Sequence, residues 1–302
     1  MGVSSERKIG RRKDYQSALD VVRLFLKAAE LNYTDPLRFG NILNLPGSGD
    51  VMITGDLHGN MGNFKRIVEI ANLERNPRRH VLFQEVIHSA NVAQEGVAVS
   101  FEVLNALARL KTQYPARVHM IIANHDIAQA CEHFIVKGGS ILNMTFEAGL
   151  REIYGDLKPE VKAGYAQLVF SMPAAARTKT GIFISHSLPD PKALETFDYK
   201  ALTTPMDPAK LLASPIASMV WGRDLSQQVA ERFAQIVQAR LFVIGHTPCD
   251  TGYRIANSLT LIIDTKDENG RLLLLPLNRK FESARAMLPC LVPVMGYPGA
   301  GL

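Results

Sequence analysis

The chain has 302 residues and a formal charge of +5, with 47% apolar and 21% charged residues. Such a chain buries a sizeable core, and its composition excludes disordered, fibrous and low-complexity classes. No apolar stretch approaches the roughly 20 residues that span a bilayer. The three cysteines, Cys131, Cys249 and Cys290, have no close spacing, which argues against a disulfide framework or a Cys-type zinc site.

Residues 1–13 read as a basic tail carrying Arg7, Lys8, Arg11, Arg12 and Lys13. No aromatic or recognition-helix pattern accompanies these charges, so a solvated tail is expected rather than a nucleic-acid arm. The segment has no apolar h-region, so the expectation is no secretion signal and a cytoplasmic location. Asp14 can cap a helix with Leu19, Val22, Leu26 and Ala29 on one face, ending before Asp35-Pro36. The loop "NLPGSGD" leads to a strand at Val51–Thr54, and a helix follows from Met61 to about Asn72. Val81–Phe83 reads as a short strand. Val97, Phe101, Leu104 and Ala108 mark an amphipathic helix closed by Tyr114-Pro115. "VHMIIAN", Val118 to Asn124, reads as a buried strand. The stretch from about Ala128 to Leu168 reads as helical and as a roof over whatever lies beneath it. Two strand-like segments joined by a turn follow in "MPAAARTKTGIFIS", then a helix near Leu225–Gln238 and the strand "LFVIG". "SLTLIIDTKDENGRLLLLPL" reads as a hairpin with Glu268-Asn269-Gly270 in its turn. Residues 289–302 read as a loosely held tail containing Gly and Pro. Strands and helices alternate without an internal repeat, so residues 14–288 are expected to form a single α/β domain.

Five of the strand-like runs end in potential metal ligands. Val51–Thr54 leads to Asp56 and His58, and Val81–Phe83 to Glu85. Val118–Ala123 leads to Asn124, His125 and Asp126, Ile182–Ile184 to His186, and Leu241–Ile244 to His246. Ligands of open α/β sheets bind outside the carboxyl ends of strands, so these ends can converge on one crevice. A lone histidine after a strand is commonly a core or surface residue, and His80, His119 and His133 are read that way. Five strand ends carrying Asp-x-His, Glu, Asn-His, His and His form a set. Mixed oxygen and nitrogen ligands suit manganese, iron or zinc better than magnesium or calcium.

The motif order "GDLHGN", "ANHD", "ISHS", "VIGHTP" resembles the calcineurin-like metallophosphoesterases. It is most similar to the branch with phosphoprotein phosphatases and diadenosine tetraphosphatases. "YGDLKPEVKAGYAQLVFSMPAAARTKTGIFISHSLP" and "TGYRIANSLTLIIDT" also look like segments of that branch, so the likeness covers most of residues 50–275. The resemblance implies a four-layer αββα sandwich with mixed sheets and a site for two divalent transition-metal ions, manganese first, with iron or zinc as alternatives. Asp56 and His58 would hold one metal, and Asn124, His186 and His246 the other. The family's bridging aspartate aligns with Glu85, preceded here by Gln84 instead of glycine. A surface position for Glu85, with the bridge elsewhere, is the other reading. The family's next aspartate, which orients the catalytic histidine, aligns with His88, and its phosphate-clamping arginine with Ser89.

The implied activity is hydrolysis of a phosphomonoester, such as phosphoserine or phosphothreonine, by hydroxide held between the metals. His125 is the expected general acid. Asp126 is either its partner or a helix N-cap. Arg223, in "VWGRD", is the expected phosphate contact; an ion pair with Asp224 is the plain alternative. His88 is a further candidate for substrate contact. Gly55 and Gly59 allow either close backbone approach to the metals or a turn. Two other functions compete: hydrolysis of a nucleotide or dinucleoside polyphosphate, and a non-catalytic phosphate-binding scaffold. A phosphorylated protein or small molecule is the expected partner, with no membrane and no nucleic acid. The sequence leaves the oligomeric state open.

Overall fold

The computed structural model describes residues 17–88, 100–137 and 140–296. The basic tail, Asp14, Ser89 and Val97 lie outside these residues. The strands in chain order are β1 (Arg38–Phe39), β2 (Ile42–Asn44), β3 (Asp50–Asp56), β4 (Arg79–Gln84), β5 (Val118–Met120), β6 (Val136–Lys137), β7 (Ser140–Ile141), β8 (Ala175–Arg177), β9 (Ile182–Ser185), β10 (Leu241–Ile244), β11 (Tyr253–Ile255), β12 (Thr260–Ile263), β13 (Arg271–Pro276) and β14 (Leu291–Pro293). The first six helices are α1 (Ala18–Tyr33), α2 (Met61–Ala71), α3 (Phe101–Gln113), α4 (Asn124–Ala130), α5 (Leu142–Tyr154) and α6 (Lys158–Ser171).

Two mixed sheets result. One has the order β1-β2-β8-β9-β10-β12-β11, the other β14-β13-β3-β4-β5. Alternation along each strand sends side chains to two different cores. Val51, Ile53, Leu82, Ile182, Ile184, Leu241, Val243, Leu261, Ile263, Leu273 and Leu275 pack between the sheets. Met52, Val81, Phe83, Phe183, Phe242, Ile262 and Leu272 face the helices on the outer sides. These layers form the expected αββα sandwich. Among the described residues, no helix is long and apolar enough to cross a membrane.

Several elements differ from the sequence reading. Ser17 caps α1, its hydroxyl accepting the Asp20 N–H. The buried residues of α1 are Ala18, Val21, Phe25, Ala28, Ala29 and Asn32; of the expected face Ala29 is buried and Val22 half-buried, whereas Leu19 and Leu26 are 55% and 48% exposed. The sequence carries two apolar stripes one residue apart, and the stripe with Phe25 is the one that packs, against α3 and α6. β12 and β13 are not a hairpin. β12 pairs with β10 and β11, while β13 pairs with β3 and β14, so the turn between them carries the chain from one sheet to the other. Both strands are apolar on both faces, as central strands are, and a two-stranded hairpin would leave one of those faces wet. Part of the segment read as a tail from residue 289 forms β14 at a sheet edge. The buried run after His119 is strand only to Met120, and Asn124 already opens α4.

The sheets approach closely at the end of β3. A Cβ on Gly55 would lie 2.0 Å from the Ile263 carbonyl oxygen, so only glycine fits there. This close approach is to the other sheet. The β3–β4 register shifts between Ile53 and Asp56, a bulge that re-aims the last residues of β3.

A buried charge network ties α1 and α3 to β4 and β5. Lys111 Nζ lies 3.2 Å from Asp35 Oδ2 and donates to the Pro115 carbonyl at 2.8 Å. His119 Nδ1 is also 3.2 Å from Asp35 Oδ2, and His119 Nε2 lies 3.0 Å from His80 Nδ1. Burial pushes the Asp35 carboxyl up, but His119 and Lys111 outweigh it and hold the group at about 2. Removing one partner of a buried pair strands the other, so Asp35→Ala is expected to cost about 3–5 kcal/mol in urea unfolding at neutral pH. The folded pKa lies below the ordinary value of 3.8, so this stabilisation is complete above pH 4 and declines as pH falls towards 2. The two proteins should therefore converge in stability at acid pH. A loss below about 1 kcal/mol at neutral pH contradicts this role.

Candidate metal centre

The site forms where strands of both sheets end. β3, β4 and β5 run parallel and deliver Asp56, His58, Glu85 and Asn124 at their carboxyl ends. β9 and β10 run parallel in the other sheet and deliver His186 and His246. The two halves are joined directly. The His246 N–H donates to Asp56 Oδ1 at 2.9 Å, and within the second sheet the Gly245 N–H donates to the His186 carbonyl at 3.1 Å. A Cβ on Gly245 would lie 2.5 Å from Asp56 Oδ1, so this junction also requires glycine.

Backbone strain concentrates here. His58, Glu85, His88 and His246 have φ of +45°, +47°, +61° and +63°. Left-handed conformations are uncommon outside glycine and cost about 1–3 kcal/mol each. At Glu85 the strain is held by its carbonyl, which accepts the N–H groups of Leu57 at 2.9 Å and His58 at 3.0 Å. The loops after β3 and β4 thus fix each other.

The ligand-type atoms gather around the Glu85 carboxylate, which is 1% exposed. Oε2 lies 2.9 Å from His186 Nε2. Asn124 Oδ1 lies 2.8 Å from the same nitrogen and 3.0 Å from His246 Nδ1. Oε1 lies 3.5 Å from His125 Nε2 and 3.9 Å from His58 Nδ1. His58 Nε2 is 3.7 Å from Asp56 Oδ2. Glu85 therefore presents one oxygen to the Asn124–His186–His246 group and the other to the His58–His125 group.

The chemistry of the first group fits a cation. Gln84 Nε2 donates to the Thr54 carbonyl at 2.8 Å, which fixes its amide so that Oε1 faces His186 Nδ1 at 2.9 Å. The Gln84 oxygen can only accept, so the His186 proton sits on Nδ1. Burial pushes His186 down to about 4, so the ring is neutral near pH 7 and Nε2 carries a lone pair. That lone pair faces the oxygens of Asn124 and Glu85. Three acceptors cannot bond one another, and a metal ion among them satisfies all three. Ligands about 2.1 Å from one ion and at right angles stand about 3 Å apart, which matches the spacing here. Burial also pushes His246 down to about 2 and the Asp56 carboxyl up, as expected of groups whose counter-charge is a bound cation.

The remaining expected residues are placed as follows. Asp126 takes the capping arrangement, with Oδ2 accepting the Ala123 N–H at 3.2 Å and Tyr165 Oη 3.4 Å from Oδ1; burial holds its carboxyl well above the usual range. His88, read as a substrate contact, is 2% exposed and engages both ring nitrogens inside the protein, with His125 Nδ1 at 3.0 Å and Gln129 Oε1 at 2.8 Å. Burial pushes it down to about 4. Phe146 of α5 packs edge-on against its ring, so this part of the stretch read as a roof stands behind His88. The exposed Arg223 donates from Nη1 to the His246 carbonyl at 3.0 Å, while its backbone N–H and that of Asp224 are held by Asp190 Oδ1. Its side chain is thereby fixed beside His246. Gly59, at φ +76°, serves the turn.

A family model for calcineurin-like phosphoesterases matches residues 49–250, the span from β3 to just past His246. The chain belongs to the calcineurin-like phosphoesterases. Membership makes this phosphoesterase a hydrolase of the metal-dependent class. Its fold is shared with a protein serine/threonine phosphatase from Saccharomyces cerevisiae, at 14% identity and a TM-score of 0.62 over 87% of this chain and 84% of that one. A cold-active protein-tyrosine phosphatase of a psychrophilic Shewanella species matches at 13% identity and a TM-score of 0.57, over 83% and 80% of the two chains. Comparison with curated protein sequences gives no match.

Sequence reasoning placed Gln84 in the second motif without giving it a role and missed Gln129. Gln84 is a polar residue closing the buried run Val81–Phe83, and Gln129 stands four residues after His125 on the same face of α4; these were the available signals. Gln84→Leu keeps the volume and removes the acceptor that sets the His186 tautomer. Partners of this kind contribute 10–100-fold to metal affinity. Manganese titration of the variant is expected to show one site weakened by that factor with the second retained. Unchanged affinity at both sites contradicts the role.

Proposed function

We propose that this phosphoesterase hydrolyses phosphomonoesters, with phosphorylated proteins as the substrate class, using two divalent transition-metal ions with manganese preferred. The observation that carries this reading is the Glu85 carboxylate, whose two oxygens face two separate groups of donors. Asp56 and His58 serve the Oε1 side, and Asn124, His186 and His246 serve the Oε2 side. Two ions in such a site lower the pKa of a shared water and polarise the phosphoryl group.

The chain itself supplies position and charge. The hydrogen bond from His246 to Asp56 sets the distance between the two halves of the site. Burial keeps His186 neutral, and Gln84 holds its ring with Nε2 turned inward. Arg223, anchored on the His246 carbonyl, offers its remaining N–H groups to phosphoryl oxygens; a guanidinium can hold two of them at once. The phosphomonoester reading is supported by the two phosphatases that share the fold, whose names state serine/threonine and tyrosine phosphatase activity. Three free cysteines are consistent with a reducing cytosol as its location.

The test is steady-state kinetics of manganese-loaded protein on para-nitrophenyl phosphate and its bis-ester. The monoester is expected to turn over faster, with activity lost on chelation and restored by manganese. Arg223→Ala is expected to lower kcat/KM for the monoester by about 10²–10³-fold, the usual effect of one such contact with developing charge. Preference for the bis-ester favours a phosphodiesterase, and no turnover at full metal loading favours a binding scaffold.

A further inference from the structure

We propose that Asp190 is a positioning residue for Arg223, fixing the backbone that carries the guanidinium so that it stands ready beside the metal centre. This rests on the reading of Arg223 as the phosphoryl contact given above.

Arg223 lies between the helix Pro215–Trp221 and the helix Gln227–Val237, where no regular structure fixes its backbone. The turn is held instead by the chain that follows His186. Asp190 Oδ1 accepts the N–H groups of Arg223 at 2.8 Å and Asp224 at 3.0 Å. Ser187 donates from Oγ to the Gly222 carbonyl at 2.6 Å and from its N–H to the Met219 carbonyl at 2.7 Å. A Cβ on Gly222 would lie 1.8 Å from the Leu188 carbonyl oxygen, so the two stretches are in direct backbone contact. At its other end the arginine donates from Nη1 to the His246 carbonyl at 3.0 Å. One short stretch thus begins at the ligand candidate His186 and ends at the anchor of Arg223. A group held in this way is in place before substrate arrives, and displacing such a group by about 1 Å can cost about 10²-fold in rate.

The direction in which Asp190 spends its side chain singles it out. It stands immediately before Pro191 at the start of the helix Pro191–Glu195, the place from which a carboxylate ordinarily caps a helix. Its side chain makes no cap hydrogen bond there and turns to the Arg223 segment. A carboxylate that accepts backbone N–H groups makes charge-assisted bonds, which are stronger than neutral ones. Asp224, the plain ion-pair partner that the sequence offers for Arg223, accepts the Ser226 N–H at 2.9 Å and so serves the approach to the next helix.

Steady-state kinetics of the manganese-loaded full chain on para-nitrophenyl phosphate test this. Asp190 is exposed, so its replacement leaves the core intact. Asp190→Ala is expected to lower kcat/KM by about 10–100-fold, with manganese affinity unchanged. Asp190→Asn keeps an oxygen at the same place and should recover most of the loss. Asp190→Glu keeps the charge but moves the oxygen, and should not. In an Arg223→Ala background, Asp190→Ala should cost little more, because both changes act through one contact. The nitrogen-15 signal of Arg223 Nε in zinc-loaded protein, assigned by its loss in Arg223→Ala, gives a readout independent of turnover. Its N–H should exchange slowly with water in the parent and in Asp190→Asn, and fast in Asp190→Ala. Parent-like kinetics of Asp190→Ala, equal losses from it with and without Arg223, weakened manganese binding, or an unchanged Nε signal overturns the proposal. An Arg223→Ala protein with full turnover overturns the phosphoryl role of Arg223, and the Nε signal then decides the positioning by itself.

Discussion

A single carboxylate with two oxygens organises this molecule. Glu85 sits 1% exposed at the meeting point of two sheets, and nearly every unusual feature nearby serves to place it. Its own left-handed backbone turns its carbonyl onto the loop after β3, while its carboxylate lies beside His186 and His125. The absence of a Cβ at Gly55 and Gly245 lets the sheets close to the distance at which donors from both can surround it. Strain of this size persists only where surrounding structure enforces it, and here it falls on His58, Glu85, His88 and His246 together.

The second motif makes physical sense once its neighbours are seen. The Glu85 carboxylate reaches into the centre, 2.9 Å from His186 Nε2. Gln84 takes a position next to His186 and fixes that ring through an amide pinned to the Thr54 carbonyl. His88 stands behind His125, and Gln129 holds it in turn. Gln84, His88 and Gln129 are neutral hydrogen-bonding groups set around the Glu85 carboxylate and its histidines. Neutral partners hold ring tautomers without adding charge to a buried site, where uncompensated charge is costly.

Much of the site was legible because its residues follow apolar strand runs, and strand ends on one edge of a sheet converge whatever the details of packing. Asp56, His58, Glu85, Asn124, His125, His186 and His246 were all found that way, and the structure brings them together. The α/β class followed from alternation, and the αββα sandwich from the family resemblance. What failed needed tertiary knowledge. The two stripes of α1 differ by one residue, and only the neighbouring helices choose between them. β12 and β13 carry a good turn between apolar runs, but which partner each strand finds depends on residues far away in the chain. Gln84 and Gln129 gave no motif because a glutamine gains its role only from the histidine it happens to face. Asp126 stayed ambiguous in sequence because a cap and a catalytic partner occupy the same position relative to the helix start.

Anomalous diffraction from manganese-loaded crystals tests most directly whether Glu85 joins two metals. Two manganese peaks about 3.5–4 Å apart, one on each side of the Glu85 carboxylate, are expected. A single peak, or two peaks with Glu85 outside the coordination of either, contradicts a bridging Glu85.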